Sequence, residues 1–211
     1  EMAYADGIRY VIATPHYHPR RGGASKEKIR EQARRVRQEA KKIDENFGIF
    51  LGQEIYFGQD IPELLVKDEI MTMNRRDYVL VEFSPTDEAN YIKQGVQQIQ
   101  SRGYIVILAH VERYACILES LDMVEYLCDT GVLLQVNASS ILGDRGRTVK
   151  KFVQKLLKEE LVFCVGTDAH DTKHRPPQMK KAAEYVTKKY GEDYARRIFF
   201  SNATKMLKKQ K

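Results

Sequence analysis

Short apolar, β-branched runs recur along the chain, separated by longer stretches of helical periodicity. They fall at residues 10–13, 50–53, 78–83, 104–109, 132–136 and 161–165, which predicts about six strands. Apolar side chains occupy both faces of these runs, as in strands covered on both sides. Their alternation with helices predicts a parallel sheet, closed or open, and an α/β fold. Behind the N-cap candidate Ser25, residues Ile29, Ala33, Val36, Ala40 and Ile43 recur at helical spacing. This predicts an amphipathic helix whose Arg and Lys residues face water. Further helices are predicted at 88–102, 118–130, 148–160 and 177–190, with no internal repeat. Residues 1–7 read as the last turn of a helix closing on Gly7, so the chain is expected to begin inside an element.

Composition narrows the picture only in places. With 211 residues, 43% of them hydrophobic, the chain can bury a sizeable core and reads as one domain over 1–211. The net charge of +6 raises the question of a nucleic-acid partner. Because the Lys and Arg residues share their helices with Glu and Asp, a solvated basic face is expected and nucleic acid is not. Cys116, Cys128 and Cys164 are odd in number and form no CxxC pair, so neither a disulfide framework nor a cysteine zinc site is indicated. A reducing, cytoplasmic setting fits, and no apolar run approaches the roughly 20 residues of a membrane span.

The chemistry lies at the ends of the strands. Residues 10–13 lead into Thr14-Pro15-His16-Tyr17-His18, 50–53 into Glu54, and 78–81 into Glu82-Phe83-Ser84. Residues 105–109 deliver His110, then Glu112 and Arg113; 132–136 end at Asn137; 162–165 run through Gly166-Thr167 into Asp168-Ala169-His170. In parallel α/β folds the carboxyl ends of the strands face one pocket, so these side chains are expected to converge. Imidazole and carboxylate together suit Zn, Mn or Fe, and carboxylates can be shared between ions. Each residue alone has a plainer reading. His16 and His18 could be loop histidines, Glu54 and Glu82 partners of Arg75 or Arg76, His110 a core histidine, and Asp168 a helix cap. Six such coincidences at six strand ends favour the site, because an unpaired buried carboxylate costs several kcal/mol by order of magnitude.

Ile12-Ala13-Thr14-Pro15-His16, Gly52-Gln53-Glu54-Ile55, Val81-Glu82-Phe83, Leu108-Ala109-His110-Val111-Glu112-Arg113-Tyr114, Thr167-Asp168-Ala169-His170 and Arg175-Pro176-Pro177 together resemble a known family. It is that of the manganese-dependent protein tyrosine phosphatases of bacterial capsule and exopolysaccharide operons, within the polymerase and histidinol phosphatase (PHP) superfamily. The resemblance covers essentially the whole chain. It implies a distorted, TIM-like (β/α)7 PHP barrel with up to three Mn2+ ions at its mouth; Zn, Fe or Co are other candidates. By position, Glu54 would bridge two metals, Glu82 and His110 would complete the second site, Asp168 would hold the first, and His16 and His170 would belong to the third. Arg113 and Arg175 look like the phosphate-binding arginines, with Asp168 or a histidine as general acid. The implied substrate is a phosphotyrosine protein, the C-terminal tail of a bacterial tyrosine kinase. The family opens with a strand ending in Asp-x-His-x-His, which this sequence does not carry, so an N-terminally truncated chain without its first strand is expected.

A cysteine phosphatase would need an arginine six positions after its nucleophile. Those positions hold Asp122, Leu134 and His170, which sets that rival aside. The alternatives that stay open are a PHP phosphoesterase for a small molecule such as histidinol phosphate, and a binding module without catalysis. A loop carrying Tyr17, Arg20 and Arg21 could favour a phosphotyrosine peptide or simply face solvent.

Overall fold

The computed structural model describes residues 1–208. Its strands are Tyr10–Ala13 (β1), His16–Tyr17 (β2), Gly48–Leu51 (β3), Glu54–Tyr56 (β4), Tyr78–Glu82 (β5), Ile105–Leu108 (β6), Leu133–Asn137 (β7) and Val162–Gly166 (β8). The helices are Met2–Ala5 (α1), Lys26–Ile43 (α2), Ile61–Val66 (α3), Ala89–Gln100 (α4), Ala115–Leu118 (α5), Leu121–Asp129 (α6), Ala138–Leu142 (α7), Arg147–Lys158 (α8), Lys180–Tyr190 (α9), Glu192–Arg196 (α10) and Asn202–Lys205 (α11).

Every ladder is parallel, in two sheets ordered β1-β3 and β2-β4-β5-β6-β7-β8. The α/β class predicted from the sequence is therefore observed. No ladder among the described residues joins β8 to β1, so hydrogen bonds do not close the sheet into a barrel. Eight strands appear where six were expected because a second short strand follows each of the first two runs. The β1/β3 ladder passes into β2/β4 across Thr14-Pro15 on one strand and Gly52-Gln53 on the other. Pro15 has no amide hydrogen to continue a ladder. A Cβ on Gly52 would come within 2.6 Å of Met73 Sδ, so a side chain there would have to displace Met73. The expected strand at 50–53 is thus corrected to Gly48–Leu51, and Glu54 opens the next strand instead of following the last.

The helices cover one face of the larger sheet. Val79, Val81, Val106, Leu108, Leu134 and Val136 pack in one cluster with Ile92, Val96 and Ile99 of α4, Val124 and Leu127 of α6, and Val153, Leu156 and Leu157 of α8. Tyr78, Leu80 and Ile107, one residue out of phase, belong to a second cluster with Met73, Cys164 and Met206 on the other face. Both faces of the strands are thereby covered, the reason their sequences are apolar throughout.

Three further expectations need correction. The helix predicted at 118–130 is α6, which starts later than expected because Leu118 ends a separate short helix, α5, and the Ser120 side chain accepts a hydrogen bond from the Met123 N–H at 3.4 Å as the new N-cap. On α2, capped by Ser25 as expected, Ile29, Ala33 and Ala40 are buried, while Val36 and Ile43 are 51% and 36% exposed. That helix packs mainly on β3, a narrow support that covers less than the full apolar stripe. Nor do all its cations face water: Lys26 pairs with Asp68 at 2.7 Å, and Arg37 Nε donates to the Ile49 carbonyl at 2.8 Å. No helix among the described residues is long and apolar enough to cross a membrane.

Candidate active site

Strand periodicity aims the functional side chains. Leu80 lies on the face opposite the α4 layer, so Glu82, two residues on, projects from that same face at the end of β5. Parallel register places His16 beside Glu54, Glu54 beside Leu80, and Tyr56 beside Glu82, so His16, Glu54 and Glu82 share a face. Gln135 and Asn137 follow the same alternation on β7. The strand exits do the rest. His110 and Asp168 have left-handed backbones, with φ of 35° and 53°, which non-glycine residues seldom adopt. Such conformations cost on the order of 1–3 kcal/mol and persist where surrounding contacts hold them.

Four side chains converge. His16 Nδ1 lies 3.3 Å from Glu82 Oε1 and 3.5 Å from Glu54 Oε2. His110 Nε2 approaches the same pair, at 2.8 Å from Glu54 Oε1 and 3.3 Å from Glu82 Oε2. The carboxylates thus meet neither Arg75 nor Arg76 but two imidazoles. Burial disfavours the ionised form of Glu82, yet hydrogen bonds from His110 and His16 outweigh it and bring its pKa down to about 2. Burial likewise works against the charge on His110, and its bonds to Glu54 and Glu82 overcome it, raising the pKa to about 9. His16 is raised mainly by its bond to Glu82.

One ligand atom each from His16, Glu54 and Glu82 lies within 4.8 Å of the others, the spacing of donors around a single cation. Two carboxylates held this close repel unless positive charge lies between them. Oxygen and imidazole nitrogen donors suit a divalent metal of intermediate softness, so these residues fit such an ion. The other nitrogen of His16 faces His170, with the two Nε2 atoms 3.1 Å apart. The ligands assigned by resemblance to separate second and third sites therefore meet at one imidazole.

Asp168 lies apart from this group, among cations. Its Oδ2 accepts hydrogen bonds from the Arg113 and Arg175 guanidinium groups, and from Asn137 Nδ2 at 3.0 Å. His170 Nδ1 is 3.6 Å from Asp168 Oδ1, which links the two clusters. Burial raises the Asp168 pKa, but Arg113 and Arg175 more than offset it and hold the carboxyl below its ordinary range. Next to it opens a cleft of about 630 Å³ lined by Arg113, Arg145, Asp168, His174, Arg175 and Gln178, among others.

Other residues of the same motifs fall differently. His18 stacks on Tyr56, ring centroids 4.5 Å apart, and accepts from the Arg20 N–H, away from the carboxylates. Asn137 and Glu112 stand in strand-end motifs yet carry no assigned role in the sequence reading. Glu112 Oε1 accepts from the Asn137 N–H at 3.0 Å and from Ser140 Oγ at 2.6 Å. Gln135 Oε1 accepts from the His110 N–H at 3.3 Å, and its Nε2 donates to Asn137 Oδ1 at 3.3 Å. Arg145 was missed; its one sequence signal is a position between two glycines after a strand that ends in the site.

Known proteins resemble this chain over nearly its whole length. The family described as "Capsular polysaccharide synthesis, CpsB/CapC" matches residues 1–208. Tyrosine-protein phosphatase CpsB of Streptococcus pneumoniae is 32% identical over 213 residues, which cover 99% of this chain and 88% of that protein. Tyrosine-protein phosphatase YwqE of Bacillus subtilis is 30% identical over 216 residues, covering 100% of this chain and 84% of that protein. A chain from the crystal structures of YwqE from Bacillus subtilis and CpsB from Streptococcus pneumoniae, described as "unique metal-dependent tyrosine phosphatases", superposes with a TM-score of 0.87 at 30% identity, covering 98% of this chain and 84% of that chain. With the family match spanning all described residues and the fold shared throughout, this chain belongs to the CpsB/CapC family of capsular polysaccharide synthesis.

Proposed function

We propose that this chain is a metal-dependent phosphatase that hydrolyses phosphotyrosine on proteins, in the service of capsular polysaccharide synthesis. The observation that carries the reading is the convergence of Glu54, Glu82, His16 and His110 beside a cleft lined by arginines. The relatives named as tyrosine-protein phosphatases, similar over nearly the whole chain, support the substrate class.

In this reading His16, Glu54, Glu82, His110, Asp168 and His170 hold the ions, manganese first among the candidates. A bound divalent ion supplies Lewis acidity and a nucleophile at neutral pH. Gln135 fixes the His110 backbone, so the imidazole stays aimed at the glutamates. Arg113 and Arg175 turn from Asp168 to the phosphoryl oxygens, where planar guanidinium groups stabilise the charge of the transition state. Asp168 keeps both arginines at the cleft until substrate arrives. Arg113 and Arg175 hold its carboxyl below the ordinary range, which favours the role of ligand and anchor over that of general acid. A phenol, with a pKa near 10, leaves with little acid assistance. The phosphotyrosine tail of a bacterial tyrosine kinase is the partner this substrate class suggests, and residues 1–211 act as one domain.

Kinetics on a phosphotyrosine peptide test the assignment. Glu82→Gln should lower kcat/KM by more than about 100-fold, the upper range for losing partners one shell further from a metal. Its bound metal should fall in parallel, with the fold retained by circular dichroism. Undiminished turnover in the folded variant would remove Glu82 from the site and the reading with it.

A further inference from the structure

Arg145 is held in the cleft without a described role. It sits in the turn between α7 and α8, bracketed by Gly143 and Gly146, whose φ angles of 103° and 94° favour glycine. The turn is tied on both sides. The Asp144 N–H donates to the Ser139 carbonyl at 3.1 Å and the Gly146 N–H to the Gly143 carbonyl at 3.0 Å. Lys150 Nζ donates to the Leu142 carbonyl at 2.9 Å, and its side chain lies over Gly143, where a Cβ would meet Cδ at 2.8 Å. Arg145 is thus presented by a fixed backbone to the cleft shared with Arg113, Arg175 and Asp168.

Its charge is not matched. Arg113 and Arg175 both pair with Asp168, whereas Arg145 makes no hydrogen bond or ion pair with any described residue. Although Arg145 is exposed, desolvation on its cleft side and the like charge of Arg113 act against its protonated form; Glu112 and Asp168 favour it, Arg175 again opposes it, and the net shift is downward. The Asp144 carboxylate also lines the cleft but does not pair with it. An incoming anion would relieve this excess of positive charge.

The pairing in the cleft says which anion. Arg113 and Arg175 converge on one Asp168 oxygen, and these are the two guanidinium groups that the phosphatase reading gives to the phosphoryl group. Arg145 does not reach that oxygen, and at about 630 Å³ the cleft falls in the size range of pockets for ligands well beyond a bare phosphate. Resting on the phosphatase reading above, we propose that Arg145 is a specificity-determining residue that binds the carboxylate of an acidic residue flanking the phosphotyrosine. A guanidinium suits a carboxylate in this role through paired, charge-assisted hydrogen bonds.

The test uses two phosphotyrosine peptides that differ only in Glu or Gln at the flanking positions, with the wild-type chain and Arg145→Gln at fixed ionic strength. The wild type should favour the acidic peptide by about 5- to 10-fold in kcat/KM. In Arg145→Gln that ratio should fall to near one, and Arg145→Lys should restore part of it. A solvated arginine would leave no acidic preference in the wild type, and a contact to the transferred phosphoryl would slow both peptides equally while preserving the ratio. Either result overturns the proposal. Fluorescence anisotropy of the same labelled peptides gives the corresponding affinity ratio without turnover. If the wild type binds both peptides but hydrolyses neither with metal present, the phosphatase reading fails, and the affinity ratio still decides the fate of Arg145.

Discussion

Glu112 is 1% exposed, and one of its oxygens accepts both the Asn137 N–H and the Ser140 hydroxyl where α7 begins. Its work is to fix the backbone from which Asn137 reaches Asp168. Glu112→Ala would leave both donors unpaired in a buried place, at a cost of about 2–4 kcal/mol. Urea denaturation measures it, and a loss under about 1 kcal/mol would mean that water replaces the carboxylate. The cysteines offer a test of opposite sign. Burial pushes Cys164 up to about 12 and raises Cys116 and Cys128, so at pH 7.5 the thiolate that attacks alkylating reagents is scarce at all three. Iodoacetamide should therefore leave phosphatase activity intact, and stoichiometric inactivation on labelling one cysteine would point to a thiol in the chemistry.

At the scale of elements, β7 and β8 meet through Gly166, where an added Cβ would come 2.1 Å from Gln135 Nε2. Gln135 is the side chain that links the His110 backbone to Asn137. Gly166→Ala should displace it and lower kcat/KM by about 10-fold or more through misplacement of His110. If the rate holds while only the unfolding midpoint drops, Gln135 is packing and not positioning. This cross-strand dependence also marks the limit of what the sequence shows. The apolar runs of β5 to β8 were legible because both faces are buried, and Glu82, His110 and Asp168 stood out because each lies at or just beyond the end of such a run, while Glu54 stood out just after the apolar run at 50–53. The break at Gly52 was not read because the apolar run seemed continuous across it, and the resumption of the strand at His16 after Pro15 was not read because two residues are too few to show a period. Gln135 and Arg145 were beyond reach. What recruits them is a neighbour 25 or more residues away in sequence, and no local spacing records that.

For the whole molecule, the strand ends matter because they bring two clusters of opposite character together, one of carboxylates and imidazoles and one of arginines around Asp168. Many surface cations are neutralised in pairs such as Arg35–Glu31 at 2.8 Å and Lys42–Glu39 at 2.7 Å, while three arginines gather at the cleft. A phosphate monoester would suit such a mouth, where the arginines can pair with phosphoryl oxygens and the glutamates and histidines would hold divalent ions. The most direct measurement is hydrolysis of a phosphotyrosine peptide by the chain after dialysis against EDTA, before and after Mn2+ is returned. The account predicts that activity falls to background on chelation and recovers with the metal; turnover that continues undiminished after the ions are removed would contradict it.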